Sequence, residues 1–176
     1  RFFFSAEENV ASSQAGDYYN LWLNNFASVG DADPVDVTLS GRAVNNIIAM
    51  VGFAKSLTLM TDGSRQYELR SENQLTPSSA SIVPTTSYRS ESYCQPAVMG
   101  SQLYFVSERG PFTQLYEYYY SYNASNNIAV DVTSHAEGYL PKRVTKISSS
   151  VNNDLLIMDA SEDPKRLFIY QSYWSG

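Results

Sequence analysis

Three segments with a similar pattern recur along the chain, and this recurrence constrains the fold more than any other feature. Each segment has a short apolar run, a turn of two to five residues and a second run that carries Tyr or Phe. The segments are LTLMTDGSRQYEL (57–69), QLYFVSERGPFTQLYEY (102–118) and DLLIMDASEDPKRLFIY (154–170). They lie about 45–55 residues apart, which is the spacing of hairpins in successive propeller blades. The sequence therefore predicts an all-β fold that is part of a β-propeller built from antiparallel meander blades, with a β-sandwich as the alternative.

The other apolar runs are also short, and turn residues separate them. Asp62-Gly63 predicts a hairpin turn in which glycine adopts positive φ, and Leu75–Ser78 predicts a corner. Pro84 places its strand at a sheet edge or a bulge, because proline has no N–H to donate. The predicted strands cover 46–51, 56–61, 66–70, 81–88, 98–99, 102–107, 112–121, 143–148, 154–159 and 166–174.

Two segments have features of short helices. Residues 17–26 place Tyr18, Leu21, Trp22 and Phe26 at helical spacing, and Asp17 is a suitable N-cap. Residues 133–138 are long enough for a single turn. The sequence therefore predicts one or two short helices beside the strands.

Length and composition indicate one globular region over residues 1–176. The chain has 176 residues and a mass of 19.7 kDa, and a chain of this size buries roughly 70% of its unfolded surface. No apolar run approaches the ~20 residues of a membrane helix, so we predict no membrane span. The chain lacks an initiator Met and a signal-peptide pattern, and its last residues stop inside a strand pair. We therefore expect it to be an excerpt of a longer protein.

Charge and cysteine content exclude several classes of function. A net charge of -6 argues against a basic nucleic-acid clamp. Only 17% of residues are charged and 14 are Tyr, a composition that suits protein–protein contacts or a β-rich core. Cys94 is the only cysteine, which excludes an internal disulfide and a cysteine zinc site. We expect Cys94 to be a partly buried free thiol.

Two groups of residues could carry hydrolytic chemistry. His135 has Asp131, Thr133 and Ser134 near it in sequence, but no nucleophile elbow is present, so a loop histidine is expected. Paired carboxylates could cleave a glycosidic bond if held about 5–10 Å apart. The candidates are Glu68, Glu108, Glu117 and Asp159. Since Glu68 and Glu117 alternate with apolar residues, solvated side chains or interface contacts are expected instead.

The remaining motifs predict local structure. Asp31, Asp33 and Asp36 lack the Gly and Glu positions of a calcium loop, so a turn with an Asp-Pro step into a strand is expected. Asn123-Ala-Ser125 matches a glycosylation pattern that recurs by chance. The sequence contains no Gly-rich phosphate loop, CxxC pair or HExxH motif. We predict no catalytic, cofactor-binding or metal-ligating residue, no cofactor, and a protein that is not an enzyme.

An ordered set of segments resembles the tail nozzle proteins (tail tubular protein B) of short-tailed bacteriophages. The set runs over nearly the whole chain, and it departs from the family at Phe2-Phe3-Phe4, where a leucine-glycine step is usual. The similar segments are RFFFSAEENVASSQAGDYYNLW (1–22), DADPVDVTLS (31–40), LTLMTDGSRQYEL (57–69), LTPSS (75–79), YCQPAVMGSQLYFVS (93–107) and DVTSHAEGYLP (131–141).

The resemblance implies a structural subunit of the virion tail. It implies a propeller within a nozzle ring, with six copies expected, and contacts with the tail adaptor protein and tail fibres. It also implies a channel for genome ejection that double-stranded DNA crosses without specific binding. Members of the family are several times longer than this chain, which agrees with an excerpt.

Two other functions stay open at the level of sequence. The first is a propeller that binds or degrades glycans on the host surface, for which two carboxylates and stacked aromatics such as Trp22, Tyr118 or Trp174 would be the mark. The second is a general host-surface binding module. For the nozzle function we expect acidic residues to face the lumen and aromatic and Ser-rich surfaces to face neighbours, because acidic walls repel phosphate.

Overall fold

The chain folds into antiparallel sheets and divides into two compact units, Arg1–Ser87 and Tyr88–Gly176. The computed structural model describes residues 1–25, 27–41 and 43–172. Within these residues the only helix is a three-residue 3-10 turn, Val151–Asn153. The predicted all-β class is therefore confirmed.

The first unit contains two sheets in which each strand pairs with its neighbour in sequence. β1 (Phe3–Ala6), β2 (Asn9–Ser12) and β3 (Asp36–Thr38) form one sheet, and β4 (Ile47–Phe53), β5 (Ser56–Thr61), β6 (Tyr67–Arg70) and β7 (Ser81–Pro84) form the other. One apolar cluster joins them, made of Val10, Leu39, Ile47, Leu59, Tyr67 and Leu69.

The second unit repeats this arrangement. β8 (Ala97–Met99), β9 (Gln102–Arg109), β10 (Phe112–Ser121) and β11 (Asn126–Asp131) form a four-stranded meander, and β12 (Val144–Ser150), β13 (Leu155–Ala160) and β14 (Leu167–Gln171) form a three-stranded one. The two sheets share one core, whose largest fully buried members include Tyr104, Leu115, Leu140, Leu156 and Met158. Cys94 lies in this core as a free thiol that is 3% exposed, so it is buried more deeply than the partly buried thiol that the sequence predicts.

The three predicted hairpins are confirmed. They are the antiparallel pairs β5–β6, β9–β10 and β13–β14, and each is part of a meander. Pro84 ends the edge strand β7, as its missing N–H predicts. The turn at Thr76–Ser79 is also present, closed by a hydroxyl–hydroxyl bond of 2.8 Å between these two residues. A closed propeller stays a prediction.

The predicted helices are wrong. Residues 17–25 form turns and bends, and Phe26 lies outside the described residues. Residues 133–138 form turns rather than a helix. The sequence also does not predict β1, β2 and β11. Strands β1 and β2 are only four residues long, and β11 begins with Asn126-Asn127, which is typical of a turn.

Gly63 is required for a reason other than the one the sequence suggests. Its φ is not positive, and the β5–β6 connection spans residues 62–66 rather than two residues. A Cβ built on Gly63 would lie 2.0 Å from Asn45 Oδ1 and 3.1 Å from Asn45 Cα. Asn45 is itself fixed, because its N–H donates to Glu8 Oε1 at 2.8 Å. The glycine therefore allows two backbone segments to approach closely.

We expect Gly63→Ala to lower the free energy of unfolding by about 1–3 kcal/mol, because the added methyl meets both a side chain and a backbone atom. Gly52→Ala is the matched control: Gly52 lies in β4, and a Cβ there would meet nothing within 4 Å. The control should change the free energy by less than about 0.5 kcal/mol. Urea unfolding of both variants tests this, and equal effects would contradict the close-approach explanation.

Candidate assembly surface

The loop between β2 and β3, residues 13–35, presents aromatic side chains to solvent. Tyr19 is 93% exposed and Trp22 is 76% exposed, and Tyr18 and Leu21 are more than half exposed. Tyr18 is supported from one side by Phe2, with ring centroids 4.9 Å apart. We call the exposed set Tyr18, Tyr19, Leu21 and Trp22 the aromatic knob. Exposed Trp and Tyr residues that lie together in this way are typical of protein-binding surfaces.

Arg1 ties both ends of this loop to the first sheet. Its guanidinium donates to the carbonyl oxygens of Ser13 at 3.2 Å, Asp33 at 2.6 Å and Asp31 at 2.9 Å. Planar guanidinium donors suit such multiple acceptors. The backbone continues the β1–β2 ladder at the same place, because Ser13 N–H donates to the Phe2 carbonyl at 2.9 Å.

Asp33 is the polar centre of the loop. It is 2% exposed, and its carboxylate accepts hydrogen bonds from the Asn24 side-chain amide at 2.8 Å and from Gly30 N–H at 2.8 Å. These bonds, first the one from Gly30, hold the pKa of Asp33 below its ordinary value, with a further contribution from the Arg1 charge. The ionised carboxylate therefore organises the loop.

Short side-chain turns explain why the segment is not helical. Asp17 Oδ1 accepts from Tyr19 N–H at 3.2 Å, and Asn20 Oδ1 accepts from Trp22 N–H at 3.0 Å. Bonds to the N–H two residues later are Asx turns, which compete with helix formation. These bonds and the Asp33 contacts fix the backbone of the loop while the rings stay exposed, so the loop presents the aromatic knob to solvent.

Of the predicted carboxylate candidates, Glu108 lies in a polar cluster of the second unit. The Tyr93 hydroxyl donates to Glu108, whose other oxygen lies 3.9 Å from Lys142 Nζ. Glu91 accepts from Glu108 N–H at 3.1 Å and pairs with Arg89 at 3.2 Å. Burial, followed by the Glu108 hydrogen bond, raises the pKa of Tyr93. A phenol held in its protonated form connects elements of the fold and is a poor nucleophile.

The other carboxylate candidates are dispersed. Glu68 lies in β6 of the first unit and is buried, so the expectation that it is solvated is wrong; both faces of β6 are covered. Glu117 lies beside Tyr104 in the β9–β10 register, and burial raises its pKa. Asp159 pairs with Leu167 in the β13–β14 hairpin.

The segment around His135 serves to position β10. Asp131 accepts from Thr133 N–H at 2.8 Å and from the Gln114 amide at 2.6 Å, so its carboxylate is engaged by groups other than the histidine. Thr133 in turn accepts from Leu115 N–H at 3.3 Å. His135 is exposed in the turn, as expected of a loop histidine.

The remaining predicted residues have structural positions. The Asp-Pro turn that leads into β3 is confirmed, with Asp33 buried and Asp31 and Asp36 exposed. Asn123 and Ser125 lie in the exposed β10–β11 turn.

Burial raises the pKa of the Cys94 thiol to about 12. In the part of the chain that the structure describes, no three His, Cys, Asp or Glu residues group as metal ligands. Across the same ranges, no helix has the length and hydropathy of a membrane span.

Sequence reasoning missed the residues that build the assembly surface. Arg1, Asn24 and Asp33 are far apart in sequence, and their contacts join residues 9 to 32 positions apart. The only available signal was the cluster of Asn, Asp and Gly residues between 14 and 33, which is typical of side-chain turns. The role of Glu91 could not be predicted, because no alternation of apolar and polar residues and no motif marks this position.

Asp33→Asn should release the aromatic knob at neutral pH, because an amide has one acceptor oxygen and cannot accept from both the Asn24 side chain and Gly30 N–H, which bond different oxygens of the carboxylate. For the parent chain, the lowered pKa means that the contribution is complete above about pH 5 and is lost as pH falls below ~4. The fluorescence of Trp22, measured in a Trp174→Phe background, follows both the effect of the substitution and the effect of pH on the parent.

Asp31→Asn is the control, since only the backbone carbonyl of Asp31 takes part in the Arg1 contacts. It should match the parent at pH 7. A parent spectrum that is the same at pH 3 and pH 7, together with an unchanged Asp33→Asn spectrum, would show that Asp33 does not organise the loop.

The chain matches known proteins along most of its length. The chain is 29% identical over 169 residues to the tail tubular protein gp12 of Escherichia phage T7, and the alignment covers 96% of this chain and 21% of that relative. The chain thus spans about a fifth of the length of this curated relative. A family model described as "Bacteriophage nozzle protein" matches residues 1–176. The chain therefore belongs to the bacteriophage nozzle protein family.

Proposed function

We propose that this chain is part of a structural subunit of the tail nozzle of a short-tailed phage, located in the virion tail. The observation that carries the proposal is the family match over all 176 residues. The T7 relative is named a tail tubular protein, and a tube requires subunits that contact one another. The held aromatic knob of the first unit supports such contacts, because Trp and Tyr dominate interface energies.

The polar residues support a structural role rather than an enzymatic one. The carboxylates of Asp33, Glu91 and Asp131 accept hydrogen bonds from backbone N–H groups. Groups fixed in this way hold loops in place. We therefore infer that the subunit works by assembling with its neighbours and not by catalysis.

The meander sheets are the blades of a propeller region that covers residues 1–176 and belongs to a longer nozzle protein. The antiparallel meanders and their repeated hairpins support this architecture. Copies of the subunit close into a ring, with six copies, below the tail adaptor protein, and the ring carries tail fibres. The contacts with the adaptor protein and the tail fibres are proposed from the family, and they involve the full-length subunit.

The ring encloses the channel for genome ejection, and double-stranded DNA passes through it without specific binding. A net charge of -6 supports this proposal, because Lys and Arg are the residues that hold phosphate by counterion release. The exposed acidic residues outside the contacts between copies face the lumen, and the aromatic and Ser-rich surfaces face neighbouring copies. A map of the assembled ring with a basic lumen would overturn this orientation.

Electron microscopy of the full-length protein and of the virion tests the function. We expect rings with a central channel, and phage that carry a premature stop in this gene should yield particles without a complete tail and without infectivity. Infectious particles that lack the protein would contradict the proposal. Degradation of host capsular polysaccharide by the purified rings, lost on Glu108→Gln, would instead support a glycan-active protein.

The assembled ring should bind linear double-stranded DNA weakly. Non-specific DNA-binding proteins reach dissociation constants of about 10⁻⁴ to 10⁻⁶ M at physiological salt. We expect the full-length ring to bind more weakly than about 10⁻⁴ M, with little change between low and physiological salt, in fluorescence anisotropy. Tight binding with a steep salt dependence would contradict passage without holding.

A further inference from the structure

An apolar cleft in the first unit is left open by the residues that the structure describes. Its volume is about 270 Å³, and its floor is made of Phe3, Leu57, Leu69 and Leu75. The side chains of Phe3, Leu57 and Leu75 are only partly buried there. An apolar floor that stays accessible to water gains free energy when another apolar side chain covers it.

Two cations stand at the rim of this cleft. Lys55 and Arg70 are both among its lining residues. Among the described residues, neither has a carboxylate oxygen within 4.0 Å. Lys55 is held in place by the β4–β5 hairpin, where Ala54 and Lys55 both adopt positive φ (47° and 70°). An apolar floor with unpaired cations at its rim fits an aromatic side chain that has a carboxylate beside it.

The aromatic knob has this chemistry and lies on the other side of β1. Successive side chains of a strand point to opposite faces. Phe3 faces the core and the cleft, whereas Phe2 contacts Tyr18 of the knob. Asp17 is exposed and directly precedes the knob, and its carboxylate accepts from Tyr19 N–H, which places a negative charge beside the rings.

We propose that the aromatic knob of one copy of this chain inserts into the Lys55–Arg70 cleft of a second copy, with Asp17 facing the two cations. The inference rests on the proposed nozzle function and names the surfaces that join its subunits. Each pair of copies shares one such contact, from the knob of one to the cleft of the next and not in return, so the proposed contact is heterologous. Such head-to-tail contacts form rings when the rotation between copies closes.

Thiol crosslinking of the full-length protein tests the contact directly. Tyr19→Cys and Lys55→Cys are combined in one protein, and the rings are treated with a short bis-maleimide. We expect a ladder of covalent multimers up to the closed ring, since each copy uses its knob once and its cleft once. Either single variant should give only what the parent gives. A covalent product of the double variant that stops at the dimer would show a reciprocal two-fold contact. Covalent dimers from Tyr19→Cys alone would show a knob-to-knob contact, and either result would overturn the proposal.

Two further variants measure what each surface contributes. Trp22→Ala should raise the concentration at half-assembly at least about 30-fold, as expected for an interface hot spot. Tyr122→Ala is the control, because Tyr122 is 88% exposed but lies in the second unit, and it should change assembly by less than about threefold. Lys55→Glu with Arg70→Glu should weaken assembly about tenfold at low salt and reverse its salt dependence, because added salt then screens the repulsion from Asp17.

The outcomes separate this inference from the proposed function. Parent rings without knob-to-cleft crosslinks, and with unchanged assembly of Trp22→Ala, would overturn the inference and leave the nozzle function standing. Absence of rings and absence of the protein from virions would remove the nozzle function and this contact with it. Unfolding transitions of each variant, matched to the parent, verify that a loss of assembly is not a loss of folding.

Discussion

The structure depends on hydrogen bonding between strands that are neighbours in sequence. In all sheets of the described residues, each strand pairs with the one before or after it. This satisfies backbone donors and acceptors locally, but a sheet of three or four strands is stable only when one face is covered. The two sheets of each unit therefore share a core, built around Leu59 and Leu69 in the first unit and around Leu115 and Leu156 in the second. The connections are left at the strand ends, where a rigid scaffold can present them to partners.

Carboxylates hold the irregular backbone between these strands. Glu8 accepts from Asn45 N–H, Asp62 from Asn46 N–H, and Asp131 from Thr133 N–H. Asp33 and Glu91 do the same in their own loops. A hydrogen bond between an ionised group and a backbone N–H is stronger than a neutral one. Part of the acidic excess of this chain thus has a folding role, which is independent of any repulsion of DNA.

The hairpins could be predicted from sequence because alternation and turn residues are local signals. Strand β5 was predicted at Ser56–Thr61 and β10 at Phe112–Ser121, and both have these bounds. The alternation pattern gives a wrong prediction at Glu68. The pattern assumes that one face of the strand is exposed to solvent, whereas both faces of β6 are buried. Helical spacing failed at residues 17–25, since Asp17 and Asn20 bond the backbone in Asx turns. The assembly loop could not be predicted, because Arg1, Asn24 and Asp33 come together only after β1, β2 and β3 have paired.

The Arg1 guanidinium also determines how the loop would carry mechanical load. It bonds the carbonyl of Ser13 at the start of the loop and those of Asp31 and Asp33 near its end. A load on the loop is therefore shared between two attachment points, and Arg1 passes it on to the neighbouring β1–β2 hydrogen bonds. This joint therefore distributes a load on the loop over several hydrogen bonds, which need not break one at a time.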